Sequence, residues 1–167
     1  ITLDAQHSDD WLVRFTDALG KPMPAQWRQD SVVLTLPEPL AKGEQVQFHA
    51  SLAGKPVDGF YFTKNRYGEA MAFTDHYAIR ARGWLPCEDH PADRARFTLQ
   101  VAYPEKNELL ATGVPSAPAD VHRQWEPRGG FVKADLAGTA EIPPYMLAIV
   151  IGPLARVHED GDPRLVD

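Results

Sequence analysis

Hydrophobic and polar positions alternate with a period of two along much of the chain. Between residues 45 and 53, Val46, Phe48, Ala50 and Leu52 fall on one side, and Gln45, Gln47, His49 and Ser51 on the other. That is the pattern of a strand with one wet face. Residues 94–103 repeat it, with Ala95, Phe97, Leu99, Val101 and Tyr103 set against Arg94, Arg96, Thr98 and Gln100. Trp11, Val13 and Phe15 alternate with Leu12, Arg14 and Thr16, and the β-branched run 31–36 ends at Pro37. Segments 59–63 and 70–74 flank Asn65-Arg66-Tyr67-Gly68, which predicts a hairpin. Late strands are expected at 130–135 and 145–151. Turn residues such as Leu19-Gly20-Lys21-Pro22 and Ala53-Gly54-Lys55-Pro56 separate these segments. The predicted class is all-β: twisted antiparallel sheets, sandwich-like or saddle-like, with one long ordered loop. The inward rows 46/48/50/52 and 97/99/101/103 are expected to be buried. At most a turn or two of helix is expected around 87–93, with Asp89 as its cap.

Composition narrows the function classes. The chain has 167 residues with 17 Lys plus Arg against 23 Asp plus Glu, a net charge of -6, which argues against nucleic acid as a partner. No run of about 18 apolar residues occurs, so no membrane-spanning helix is predicted. The single Cys87 excludes an internal disulfide and any multi-cysteine zinc site, and is expected to be a buried, inert thiol. The chain starts at Ile1 without a recognisable leader, which leaves localisation open. The last ten residues hold four acids and one arginine, the expected composition of an exposed edge or connection.

Several catalytic signatures are missing. His158-Glu159 is not followed by the second histidine of a zinc-protease motif, and there is no phosphate loop or nucleophile elbow. The segment 73–93 stands out instead, being dense in aromatics, prolines and charge without alternation. It predicts a loop pinned by Trp84, with Arg80 or Arg82 near Asp89. Two readings stand: a functional loop, or a plug at the end of a sandwich.

Within that segment, Arg82-Gly83-Trp84-Leu85-Pro86-Cys87-Glu88-Asp89-His90-Pro91 resembles a block of the zinc aminopeptidases related to aminopeptidase N and leukotriene hydrolase, the gluzincin metallopeptidases. The strand after it, and the later Pro144 to Gly152, are similar to further strands of that family, so the resemblance spans almost the whole chain. It implies a single, incomplete N-terminal β domain over residues 1–167, non-catalytic by itself. A separate catalytic domain would then hold the zinc ion and the general-base glutamate. The implied partners are that catalytic domain and a peptide substrate. Self-association through an exposed edge strand is a further expectation. In the resemblance, Arg82, Trp84, Pro86, Asp89 and Pro91 form the structural loop. The position that holds the substrate's free amine falls on Tyr77, with Asp75 two residues before it supplying the charge. If this stretch is extended, both side chains share a face. The competing reading is that Asp75 caps a turn and Tyr77 packs. An interaction or scaffold module on the same sheets, without catalysis, is the alternative function.

Overall fold

The computed structural model describes residues 1–115 and 131–155, and these form twelve strands. They are β1 (Thr2–Asp4), β2 (Trp11–Asp17), β3 (Ala25–Trp27), β4 (Ser31–Leu34), β5 (Phe48–Gly54) and β6 (Phe60–Lys64). β7 (Ala70–Thr74), β8 (Thr98–Pro104), β9 (Glu108–Ala111), β10 (Val114–Pro115), β11 (Phe131–Ala137) and β12 (Ile149–Gly152) follow. Helical structure among the described residues is confined to two single 3₁₀ turns, Ala81–Gly83 and Pro144–Met146. All pairings are antiparallel, in the orders β1-β4-β3, β2-β5, β6-β7-β12-β9 and β10-β11-β8. The chain is therefore all-β, as the period-two patterning predicts.

One core joins these sheets. β2 contributes Trp11, Val13 and Phe15, β4 contributes Val32 and Leu34, and Ala5, Trp84, Leu147 and Ile149 complete it. Strict alternation along β2 buries Trp11, Val13 and Phe15 and leaves Leu12 and Arg14 in water. The 60–74 hairpin forms as expected, with Phe60 opposite Thr74 and Lys64 opposite Ala70. Its turn is closed by the Asn65 carboxamide oxygen, which accepts from the amides of Tyr67 and Glu69 at 2.9 and 3.0 Å.

Burial departs from the sequence expectation in two strands. In β5, Phe48 and Leu52 pack on the core, but Ala50 is exposed and Val46 lies ahead of the strand at 38% exposure. β5 pairs with β2 alone, so only its two large side chains reach the shared core. Leu99, Val101 and Tyr103 of β8, and Phe97 just before it, are half-buried, Phe97 and Leu99 packing against the margin of the core. The later strands also shift: 144–146 is a 3₁₀ turn, and β12 begins only at Ile149. No helix forms at 87–93. The turn lies upstream, at Ala81–Gly83, and Asp89 accepts the amide of Arg82 within it. The acidic segment 158–167 is outside the described residues, as is the segment 116–130.

Candidate functional site

The 75–93 loop is built outward from Trp84. Its indole is buried at 7% exposure and packs edge-on against Phe60, with ring centroids 5.2 Å apart. Burying an indole requires a partner for its N–H. That partner is His76, whose Nε2 accepts from Trp84 Nε1 at 2.7 Å, with the two rings stacked. The other imidazole nitrogen, Nδ1, lies 3.2 Å from the carbonyl oxygen of Pro144. Burial holds the His76 pKa below the ordinary 6.5, outweighing the Pro144 carbonyl and the carboxylates of Asp89 and Asp75, which act the other way.

Further along the loop, Asp89 is almost fully buried. Its carboxylate accepts from the Arg82 amide at 3.1 Å and from Arg82 Nε at 3.2 Å, while its carbonyl accepts from Arg82 Nη2. Asp4 of β1 closes this network: its carboxylate accepts the Asp89 amide at 3.0 Å and lies 3.4 Å from Arg82 Nη1. Asp4 and Cys87 also exchange backbone hydrogen bonds. The Cys87 thiol is half-buried in this acidic setting, and burial, reinforced by Asp89 and Asp4, pushes its pKa up to about 12. It is therefore a poor nucleophile.

The exposed tip of the loop carries a different cluster. Residues 77–80 form a turn, not an extended stretch, so the shared-face geometry expected for Asp75 and Tyr77 does not arise. Asp75 Oδ1 accepts the Tyr77 amide at 3.3 Å, and Oδ2 accepts from Arg80 Nη1 at 3.0 Å. Arg80 does not approach Asp89. It also lies 3.6 Å from Asp58 and donates to the Tyr61 hydroxyl at 3.4 Å. The Tyr61 hydroxyl donates to Asp58, and this hydrogen bond raises the phenol's pKa. Tyr77 is 84% exposed, and the peptide bond between Tyr77 and Ala78 is cis.

Gly59 fixes the tip against the hairpin. Its φ is +75°, and a Cβ there would meet the Arg80 carbonyl oxygen at 2.1 Å. Its own carbonyl accepts the Asp75 amide at 3.0 Å. Asp58, Asp75 and Arg80 together carry two negative charges and one positive, leaving the cluster net anionic at a surface open to water. Asp58, Tyr61 and His76 escaped sequence reasoning. Asp58 and Tyr61 are distant in sequence from the loop, Tyr61 reads as an ordinary strand residue of the hairpin, and no local pattern separates a bridging histidine from a solvent-facing one. Among the described residues, no group of three or more His, Cys, Asp or Glu side chains is placed to hold a metal ion.

Comparison with known proteins agrees with this architecture. Residues 20–126 match the peptidase M1 N-terminal domain. Aminopeptidase N of Canis lupus familiaris is 27% identical over 135 residues, covering 77% of this chain and 14% of that protein. Aminopeptidase M1-B of Oryza sativa subsp. japonica is 33% identical over 148 residues, covering 84% of this chain and 16% of that protein. Two solved structures share the fold. A mutant M1 zinc metallopeptidase from Deinococcus radiodurans, bound to a Tyr-Ser-Ala substrate, superposes with a TM-score of 0.70 at 24% identity, over 91% of this chain and 34% of that one. Native leukotriene A4 hydrolase from Saccharomyces cerevisiae does so with a TM-score of 0.68 at 16% identity, over 93% and 23%. The chain thus spans roughly a seventh of the length of the curated relatives it matches.

Proposed function

This chain belongs to the peptidase M1 N-terminal domain family, and from that premise we propose that it walls one side of the substrate cleft of a zinc aminopeptidase, with its loop tip at the substrate's free amine. The observation that carries the reading is the net anionic cluster of Asp58, Asp75 and Arg80 beside the exposed Tyr77. A carboxylate that keeps excess negative charge at a half-exposed surface attracts an ammonium group. A phenol next to it adds a wall and a hydroxyl that donates or accepts. Zinc belongs to the family's peptidase domain in this reading; among the described residues, no group of three or more His, Cys, Asp or Glu side chains could hold it. The domain's own work is to bind and orient the amine end.

The test uses the protein that carries this domain together with its peptidase domain. A charge-assisted hydrogen bond is worth roughly 1.5–3 kcal/mol. Asp75→Asn is therefore expected to raise KM for free-amine peptides about ten-fold or more. Tyr77→Phe is expected to do less, since it removes a hydroxyl and no charge. Arg80→Gln breaks the same ion pair but leaves the cluster more negative, so KM should stay level or fall. A rise in KM of equal size for Asp75→Asn and Arg80→Gln would mean that the pair only shapes the loop. Unchanged KM with a lowered melting temperature in both would favour Asp75 as a turn cap.

A further inference from the structure

The His76 ring lies where three parts of the molecule meet, and its hydrogen bonds leave it one chemical form. An indole N–H can only donate, so His76 Nε2, 2.7 Å from Trp84 Nε1, must present its lone pair. The proton then sits on Nδ1, where it is donated to the Pro144 carbonyl 3.2 Å away. The backbone of the same residue adds a third tie, its carbonyl accepting the Arg80 amide at 3.3 Å. His76 thus joins the buried indole to the 144–146 turn through its neutral side chain and reaches the 77–80 turn through its backbone, and its neighbours Asp75 and Tyr77 stand at the exposed tip. A second proton on Nε2 would set two N–H groups against each other in a site with 4% exposure. The indole would lose its acceptor, a costly loss in a buried place.

The charged surroundings of the ring are sparse. Asp75 acts on it from its own segment and Asp89 from across the loop, both favouring the protonated form. Residues 143–147, β7 and β12 carry no Asp, Glu, Lys, Arg or His, Tyr145 being their only titratable side chain. Burial outweighs the two carboxylates and keeps the ring neutral near pH 7.

We propose that His76 is a positioning residue whose neutral Nδ1–H form clasps Trp84 to Pro144 and so holds Asp75 and Tyr77 in place, and that acidification opens this clasp. Its bearing on substrate rests on the amine-end reading of Asp75 and Tyr77 given above; the clasp itself does not.

The clasp is tested on this chain by following the His76 ring, the Trp84 indole N–H and the backbone amides of residues 75–80 by NMR from pH 8 downward until His76 has titrated. Loss of indole protection together with shifts in 75–80 is expected as His76 gains its proton. His76→Gln has a carboxamide oxygen for Trp84 and an NH2 for Pro144, and it cannot titrate. It should keep the indole protected across the whole range. Trp84→Phe removes the donor, so its His76 should titrate at higher pH than in the parent chain. Indole protection that outlasts the protonation of His76 in the parent, an acid transition retained by His76→Gln, or an unmoved His76 titration in Trp84→Phe would each overturn the clasp. The link to substrate is tested separately, by KM for a free-amine peptide in the protein carrying its peptidase domain. KM should rise on acidification more steeply in the parent than in His76→Gln. Equal pH profiles, with the NMR transition present, would overturn the positioning role. If Asp75→Asn also leaves KM unchanged, it is the amine-end reading that fails.

Discussion

The two arginines of the loop have similar sequence surroundings and opposite energetic weight. Arg80 and Asp75 are each nearly half exposed, so water and salt screen their attraction, and such pairs contribute about 0–1 kcal/mol. Arg82 faces Asp89, whose side chain is only 2% exposed. Removing one partner of a buried pair strands the other charge, at a cost of about 3–5 kcal/mol. Arg82→Met should therefore lower stability by that amount, and Arg80→Met by no more than about 1 kcal/mol, both measured by urea denaturation. If the two variants unfold at the same urea concentration, the burial of Asp89 is not what anchors the loop. Which arginine finds Asp89 was not legible in the sequence. Both sit within reach along the chain, and the choice is made by Asp4, contributed from β1 far away. Trp84 was legible, since in a segment dense in aromatics, prolines and charge the indole is the largest apolar group available to pin the loop.

At the level of elements, strands bounded by clear turns were readable, while the identity of their partners was not. The 60–74 hairpin follows from its own turn residues, whereas β12 lies between β7 and β9 through contacts that no local pattern encodes. The same distinction separates two glycines with positive φ. Gly68, at +82°, closes the hairpin turn and has open space where a Cβ would stand. Gly68→Ala should then cost only the left-handed backbone penalty, about 1–2 kcal/mol. Gly59, at +75°, has the Arg80 carbonyl 2.1 Å from that position. Gly59→Ala should cost clearly more and should also disturb Trp84, whose ring lies 3.3 Å from the added carbon. Melting temperature and tryptophan fluorescence check both. Equal destabilisation with unchanged fluorescence would show that the hairpin and the loop do not press on one another. Sequence alone marks Gly68 as a turn former but reads Gly59 as the start of a strand, because the atom that obstructs Gly59 belongs to another element.

For the molecule as a whole, the buried histidine sets a direction for pH dependence. The His76 pKa is lowered in the folded state from its ordinary 6.5. Below pH 6.5 the unfolded chain therefore binds a proton that the folded chain refuses, and stability rises with pH through the window beneath that value. His76→Gln should flatten this slope, as measured by denaturation at pH 5, 6 and 7.5. A parent slope of the opposite sign would show that other groups dominate. The tie between Asp4 and the 82–89 loop has a consequence in time as well as in energy. Asp4 meets Asp89 across 85 residues of chain, and the Ile1 amino group meets Leu34 across 33. Contacts that close long loops pay their entropy before they return anything, so the first strand should dock late, after the rate-limiting barrier. Asp4→Ala should then leave the refolding rate of the chain almost unchanged and speed unfolding by nearly the full loss in stability, giving a φ-value near zero in stopped-flow chevrons. A slowed refolding limb would place the N-terminus in the folding nucleus. If the strand is last to arrive, it is also the first to leave, and the earliest local opening of the native state would uncover Asp89 and Cys87 before any of the central sheets loosen.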